Sequence, residues 1–387
     1  MDLPLVTIMN IELQTISSGY DRKTCWVHAR PGIIPGNPAI GVITTQKLRL
    51  SGDDVFYEIN SMHSIDGGKS WSEPMPQKTL ARRDVGNNIE EGICDFWPTW
   101  HAASGTLLGT GHTVRYIDDH QQPPPRERNT AYSTYDAERH QWTEWKKLQL
   151  PADIKFQGEG AGCTQRVDLA DGTILLPTYI TVKQQIGNAF QNQYAATVMR
   201  CAFDGETLEY LEHGTELTVP EGRGFVEPSL AFASGRYFLT LRNNDAGYIV
   251  TSDDGLHYGE PQAWTFDDGN DLGNYNTQQH WLTHGDDLYL IYNRRGADND
   301  HIPRHRAPLF IAQVDQEKLC VVRDSEKVLI PQRGARLGNF GVAKVSENES
   351  WVVASEWMQT TAPNPFDCTV CEKWGSDNSI FLAKVTF

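Results

Sequence analysis

Two segments of the chain, SIDGGKSW (64–71) and TSDDGLHY (251–258), share the pattern Ser/Thr-x-Asp-x-Gly-x-x-aromatic. In a tight turn of this composition the aspartate accepts backbone N–H groups, the glycine supplies a positive φ, and the aromatic ring packs between sheets. Weaker copies of the pattern occupy residues 135–142, 203–210 and 314–321. A turn that recurs in this way predicts a fold assembled from repeated β-sheets.

Hairpin patterns alternate with these turns. Five times, a short apolar run meets a Gly- or Asn-centred turn and continues into a second apolar run, at Gly105, Gly172, Gly235, Gly285 and Asn348. The spacing suits the four-stranded blades of a β-propeller. Hairpins and aspartate turns together fit six four-strand cycles, which begin near residues 26, 95, 160, 225, 277 and 338. These cycles predict an all-β, six-bladed β-propeller that forms a single domain over residues 1–387. The last cycle lacks its outer strand, and we expect the N-terminal segment 7–16 to supply it and close the ring.

Composition limits the partners and the compartment. The net charge of −16 argues against a nucleic-acid partner, because phosphate binding requires a basic face. The sequence contains neither a signal-peptide pattern nor an apolar run long enough to span a membrane, which predicts no membrane contact and favours the cytoplasm. The odd number of cysteines, seven, predicts buried free thiols. Neither a cofactor nor a metal is predicted, and the lone CxxC at 368–371 is interpreted as structural.

Propeller topology gathers polar residues at the end of the sheets opposite the aspartate turns. First-strand starts, second-strand ends and third-strand starts all lie there. The candidates are Asp53, Asp54, Asp95, Trp97, His112, Arg166, Tyr179, Glu227, Arg242, Asn244, His280, Arg304, Arg306 and Asn339. So many charged groups are unfavourable to bury unless they are paired or bind a ligand, so this end is predicted to hold a binding site.

Both opening segments match the Asp-box, and residues 26–387 resemble the sialidase-like (BNR/Asp-box repeat) β-propeller superfamily. EPSLAFASGRYFLTLRN (227–243) is similar to the family segment that carries a glutamate and an arginine of the active site, which implies these roles for Glu227 and Arg242. RAPLFIAQVD (306–315) is similar to the segment of a further arginine, here Arg306, and ARPGIIPG (29–36) offers Arg30 as another. The resemblance also implies that Asp53 or Asp54 is the acid/base aspartate.

The last blade departs from the family pattern. Sialidases use a tyrosine nucleophile there, but RLGNFGVAKV (336–345) places Asn339 and Phe340 in this stretch. A phenyl ring cannot attack an anomeric carbon, so the tyrosine-based mechanism is not expected. The substrate is then not restricted to sialic acid.

The leading functional hypothesis is an exo-acting glycoside hydrolase whose oligosaccharide or polysaccharide substrate contains sialic or uronic acid. Arg242 and Arg306 would bind the sugar carboxylate. Two carboxylates among Asp53, Asp54, Asp95 and Glu227 would transfer protons, and their separation would decide between retention and inversion. The other predicted substrate contacts are Arg30, Trp97, Arg166, Tyr179, Asn244, Arg304 and Asn339.

Two alternatives stay open. In a polysaccharide lyase acting on uronates, His112 or His280 would abstract a proton and Tyr179 would protonate the leaving oxygen. In a non-catalytic glycan-binding propeller, the same polar surface would only recognise its ligand.

Overall fold

The computed structural model describes residues 9–123, 126–186, 189–361 and 364–387. Within these residues the helical segments are short: the α-helix α1 (Thr369–Glu372) and 3-10 turns at Lys78–Leu80, Ile154–Gln157, Pro303–His305 and Arg323–Ser325. None of the helices in these ranges is long and apolar enough to cross a membrane. The remaining regular structure is β-strand, which confirms the all-β prediction.

The strands of the described ranges form six antiparallel sheets. The first strand, β1 (Asn10–Ser17), belongs to the last of them. The first sheet contains β2 (Thr24–Ile34), β3 (Ile40–Arg49), β4 (Phe56–Ser64) and β5 (Met75–Pro76). The second contains β6 (Arg83–Asp84), β7 (Ile89–His101), β8 (Thr106–Ile117), β9 (His120–Gln121), β10 (Thr130–Asp136), β11 (Gln141–Trp142) and β12 (Lys146–Lys147).

The other four sheets follow in chain order. The third contains β13 (Val167–Asp168), β14 (Ile174–Ile186), β15 (Ala189–Phe203) and β16 (Leu208–His213). The fourth contains β17 (Val226–Ala233), β18 (Arg236–Arg242), β19 (Gly247–Ser252) and β20 (Gln262–Ala263). The fifth contains β21 (His280–His284), β22 (Asp287–Tyr292), β23 (Leu309–Asp315), β24 (Cys320–Val321) and β25 (Lys327–Ile330). The sixth contains β26 (Phe340–Lys344), β27 (Glu349–Ser355) and β28 (Ile380–Thr386) together with β1.

The five predicted hairpins are present. The predicted turns join β7 to β8, β13 to β14, β17 to β18, β21 to β22 and β26 to β27. The four turn glycines have φ between +55° and +83°, a conformation that other residues adopt only with strain. These four glycines therefore occupy hairpin turns, as the sequence pattern predicted.

Strand β1 pairs with β28 along the edge of the sixth sheet. The register runs antiparallel from Asn10 opposite Thr386 to Ser17 opposite Ile380. The predicted segment was 7–16, of which residues 7 and 8 lie outside the described residues. The sixth sheet thus has the order β1-β28-β27-β26.

The sheets pack in succession, as in a β-propeller. Strand β2 contacts β7, β14 contacts β17, β17 contacts β21, β21 contacts β26, and β26 contacts β2. Between the second and third sheets, Arg166 donates to the carbonyls of Thr99 and Leu108. Buried apolar clusters fill the spaces between sheets, such as the one that joins Leu108 to Ile174. The propeller-like arrangement predicted from the repeats is confirmed.

The predicted aspartate turns have the expected hydrogen bonds. Asp66 accepts the backbone N–H groups of Lys69 and Ser70. The corresponding carboxylates in the weaker copies, Asp136, Asp204 and Asp315, each accept two backbone N–H groups as well.

One aspartate turn differs from the sequence pattern. In segment 251–258 the accepting carboxylate belongs to Asp254, which takes the N–H groups of Leu256 and His257. The alignment of the pattern on Asp253 was wrong by one residue. The physical reason is the hydroxyl partner, because Ser252 rather than Thr251 bonds to the carboxylate, at 2.9 Å.

All seven cysteines are buried free thiols, as expected. Cys368 is the N-cap residue of α1 and Cys371 lies within it, and their sulfur atoms approach the carbonyls of Phe366 and Met358.

Candidate functional site

A polar pocket of about 710 Å³ lies at one end of the sheets. Phe56, the first residue of β4, lines it, whereas Asp66 follows the last residue of the same strand. At about 3.3 Å per residue, the aspartate turn is therefore roughly 26 Å from the pocket. The predicted site residues that line the pocket are Asp53, Asp54, Asp95, His112, Tyr179, Glu227, Arg242, Asn244, Arg304, Arg306 and Asn339.

Three inner strands use the same backbone distortion to direct a polar side chain into the pocket. His28, Asp95 and Glu227 have φ of +57°, +53° and +48°. Each lies within a register shift of its ladder, on β2, β7 and β17 respectively. A β-bulge breaks the alternation of side chains and redirects one of them, and a left-handed residue other than glycine costs about 1–3 kcal/mol. Such strain at a polar pocket indicates a functional site.

Glu227 forms the charged pair of the inner pocket wall. Arg242 Nη1 donates to Glu227 Oε2 at 2.5 Å, and Arg242 Nη2 donates to Asn276 Oδ1 at 2.7 Å. Burial by itself would raise the pKa of Glu227, but the charge of Arg242 lowers it below its usual value. Glu227 is thus ionised around neutral pH.

Five arginines crowd this side of the pocket: Arg223, Arg242, Arg304, Arg306 and Arg336, here called the arginine cluster. Among the described residues, Glu227 is the carboxylate that forms an ion pair with the cluster. Arg306 and Arg336 donate to backbone carbonyls, those of Asn276 and Gln359. The cluster therefore carries an excess of positive charge.

Burial and neighbouring positive charges lower the pKa values of two arginines of the cluster. Burial, and then the charges of Arg242, Arg336 and Arg304, hold the pKa of Arg306 well below its usual value. Burial and Arg304 lower the pKa of Arg336 to about 10. The Nε atoms of Arg223, Arg242, Arg306 and Arg336 are buried and lack a hydrogen-bond partner among the described residues. Unsatisfied buried donors of this kind are expected where an anionic ligand binds.

Asp95 is held from beneath the pocket. Arg30 Nη2 lies 3.0 Å from Asp95 Oδ1, and His28 Nε2 lies 3.4 Å from the same oxygen. Burial alone would raise the pKa of Asp95, but His28 and Arg30 lower it overall. The carboxylate is therefore ionised and fixed in orientation.

His112 lies beside Asp95 on the neighbouring strand. Its Nε2 is 3.2 Å from Cys94 Sγ. Burial, followed by the charge of Arg128, lowers the pKa of His112 to about 4. A Cβ at Gly162 would lie 1.8 Å from His112 Nδ1, so the absence of a side chain there makes room for the imidazole.

Tyr179 and Arg128 face His112 from the third sheet and the loop before β10. Arg128 Nη1 donates to the hydroxyl of Tyr179, and its guanidinium carbon lies 4.2 Å from the centre of the tyrosine ring. The rings of His112 and Tyr179 are 6.3 Å apart in an edge-on arrangement. At the rim, Asp53 is exposed and its Oδ2 lies 3.5 Å from His120 Nδ1.

Four predicted site residues lie outside the pocket lining. Arg30 is fully buried behind Asp95 and also donates to the Phe340 carbonyl, at 2.5 Å. Arg166 bonds to Asp168 and to the carbonyls that connect two sheets. Trp97 and His280 are buried and pack edge-on against each other, with ring centres 4.7 Å apart.

A polar residue near a strand start reaches the pocket only if it lies far enough toward that end of the strand. His280 is the first residue of β21 and is fully buried, with contacts to Ser229 Oγ at 2.7 Å and to Gln278 Oε1 at 3.2 Å. Gln278, two residues earlier and before the strand begins, lines the pocket instead. On β7, Trp97 follows the bulge at Asp95 and is buried in the interior.

Several lining residues were not among the sequence candidates. Arg223 and Arg336 precede the inner strands β17 and β26 by only a few residues, so extending the strand-start rule upstream would have found both. His28 enters through its left-handed conformation, for which the sequence offers no signal.

Comparison with solved structures identifies the fold. A protein of unknown function from Dyadobacter fermentans matches with a TM-score of 0.66 and 14% identity, over 97% of this chain and 99% of that one. This chain has a sialidase-like β-propeller fold. Trypanosoma rangeli sialidase in complex with the inhibitor DANA matches with a TM-score of 0.61 and 13% identity over 92% of this chain. The Hadza microbial sialidase Hz136 matches with a TM-score of 0.61 and 13% identity over 93% of this chain.

The extent of the likeness is limited to the fold. This chain spans 55% of the Trypanosoma rangeli sialidase and 65% of Hz136. No protein-family model matches the sequence, and no match is found among curated proteins.

Proposed function

We propose that this protein is a carbohydrate-active enzyme, an exo-acting glycoside hydrolase that removes an acidic sugar from the end of a glycan. The observation that carries the proposal is the arginine cluster, which lines the pocket and forms an ion pair with a single carboxylate among the described residues. Guanidinium groups with free donors recognise carboxylates through paired hydrogen bonds. The sialidase-like fold supports a glycan substrate.

The proposed roles follow from placement in the pocket. Arg242 and Arg306 bind the carboxylate of the sugar, and Arg304, Asn244 and Asn339 contact its other polar groups. Proton transfer falls to two carboxylates among Asp53, Asp54, Asp95 and Glu227. Phe340 is fully buried and has no hydroxyl, so we infer that water, rather than a tyrosine at this position, attacks the sugar.

The test is a panel of sialosides, uronate oligosaccharides, and ulvan- and pectin-like polymers. The proposal predicts a new reducing end without an unsaturated product. Arg306→Gln should abolish turnover. Arg236→Gln, at the end of β18 opposite to Arg242, should leave it unchanged. Binding without turnover on every substrate would instead support the non-catalytic glycan-binding alternative.

One observation favours a second candidate, a polysaccharide lyase. His112 and Tyr179 line the pocket edge-on to each other, as a proton-abstracting base and a proton donor would. His280 is not available for this role because it is fully buried and does not line the pocket. An ultraviolet-absorbing unsaturated product from uronate polymers, lost in Tyr179→Phe, would establish the lyase.

We also infer that the six sheets are six blades of one ring in a single domain, and that β1 closes it. The pairing of β1 with β28 and the contact of β26 with β2 support this closure. The five aspartate turns support membership of the Asp-box propellers.

A further inference from the structure

We propose that Cys94, Asp95 and His112 bind one divalent transition-metal ion, Zn²⁺ by the nature of the donors, on the wall of the pocket. The sulfur, a carboxylate oxygen and an imidazole nitrogen of these residues all lie within 4.8 Å of one another. All three residues line the pocket. The site goes beyond the proposed hydrolase and does not depend on which glycan is the substrate.

The spacing of the donors suits a single ion. Cys94 Sγ is 3.2 Å from His112 Nε2 and 3.9 Å from Asp95 Oδ2. In tetrahedral zinc sites the metal lies about 2.0–2.3 Å from nitrogen, oxygen and sulfur ligands, which places neighbouring ligand atoms about three to four ångströms apart. Both distances from Cys94 Sγ fall in this range, and the carboxylate and imidazole atoms lie within 4.8 Å of each other. A thiolate, an imidazole and a carboxylate together select zinc over magnesium or calcium, which prefer oxygen ligands.

The backbone brings the donors together. Cys94 and His112 are directly opposite each other in the β7–β8 ladder. In a regular strand Asp95 would point to the face opposite Cys94, but its left-handed conformation and the adjacent bulge direct its carboxylate toward the same side. The strained conformation of Asp95 therefore allows the consecutive residues Cys94 and Asp95 to bind the same ion.

Neighbouring groups orient the donors. Arg30 and His28 occupy Asp95 Oδ1, which leaves Oδ2 directed at Cys94. Gly160 and Gly162 pack against His112, where a Cβ would lie 2.7 Å from its Cβ and 1.8 Å from its Nδ1. Polar partners of a ligand, such as Arg30 and His28 on Asp95, are typically worth about 10–100-fold in metal affinity.

Three protein ligands leave a coordination position free toward the pocket, as in catalytic rather than structural zinc sites. A metal there would polarise a sugar oxygen or lower the pKa of a bound water. Asp95 would then serve as a ligand, and the proton-transfer roles of the proposed hydrolase would pass to Glu227, Asp53 and Asp54.

The decisive experiment is cobalt substitution of the full-length protein after chelator treatment. We expect one Co²⁺ per chain and the near-ultraviolet charge-transfer band of a cobalt–thiolate bond. Cys94→Ser should remove the band, and His112→Gln should weaken binding at least tenfold. Zinc, added first, should prevent the band and protect Cys94 from alkylation.

Matched variants locate the metal. Cys201→Ser changes a buried thiol of another sheet, and Cys368→Ser changes the isolated CxxC pair; both should keep the band. The proposal is overturned if the wild type shows no thiolate band, if the band persists in Cys94→Ser, or if it disappears in Cys368→Ser. Because none of these readouts involves a glycan, failure of the metal site and failure of the proposed hydrolase are distinguishable. Circular dichroism of each variant identifies loss of folding, and if Cys94→Ser unfolds, the loss of the band in His112→Gln together with its retention in Cys368→Ser decides the question.

Discussion

Arg242 Nη1 and Glu227 Oε2 meet at 2.5 Å in a wall of otherwise uncompensated arginines. Their side chains are only 8% and 13% exposed, so neither charge is well solvated. Removing one partner of a buried pair commonly costs about 3–5 kcal/mol because the other charge stays buried. The pair therefore holds together the part of the pocket where positive charge is most concentrated.

Glu227→Gln should accordingly lower the free energy of unfolding by about 3 kcal/mol. An added anionic sugar should stabilise this variant more than it stabilises the wild type, because the ligand replaces the lost negative charge. Denaturant unfolding with and without the sugar measures both effects. Glu317→Gln, which breaks the exposed pair with Arg236, is the control and should change stability by less than about 1 kcal/mol. Equal effects of the two substitutions would contradict the argument.

The same carboxylate gives a pH dependence. Since Arg242 lowers the pKa of folded Glu227, its contribution to stability is complete above the unfolded value of about 4.3 and is lost as pH falls through the folded pKa. The difference in unfolding free energy between the wild type and Glu227→Gln should therefore shrink below about pH 4. Unfolding curves across pH 2 to 7 test this; a difference that grows on acidification would refute it.

Gly162→Ala should displace the His112 imidazole, because the new methyl group would overlap its Nδ1. Overpacking of this kind typically costs about 1–3 kcal/mol. Gly259→Ala is the matched control, since a Cβ there meets nothing within 4 Å. Thermal unfolding should separate the two variants, and Gly162→Ala should also retain less Co²⁺ than Gly259→Ala.

Asp254→Ala should lower the free energy of unfolding by about 1–2 kcal/mol, because two backbone N–H groups lose their acceptor. Asp253→Ala removes the neighbouring carboxylate that the sequence pattern put in this role, and it should have little effect. Neither variant should alter ligand binding, since the turn lies at the end of the sheet away from the pocket. A larger loss from Asp253→Ala would restore the original alignment of the pattern.

The repeats predicted the fold because turn chemistry is local. Gly105 and Asp66 fix their turns through their own backbone and side chain, so each leaves a signature within eight residues. Eleven of the fifteen candidate site residues line the pocket because strand ends follow from the same repeats. Arg30 and His280 could not be separated from them, because the sequence shows neither the bulge beside Arg30 nor how deep in its sheet His280 lies. The left-handed conformation of His28 depends on packing across sheets, which no local pattern encodes.

The pairing of β1 with β28 affects how the protein folds during its synthesis on the ribosome. The ladder partner of Asn10, Thr386, is made 376 residues later. At about 5–20 residues per second, the N-terminal strand waits tens of seconds with an unpaired edge. A nascent chain in this state is open to pairing with a neighbour on the same messenger RNA, so slow synthesis or crowded polysomes should favour exchange of the first strand between copies.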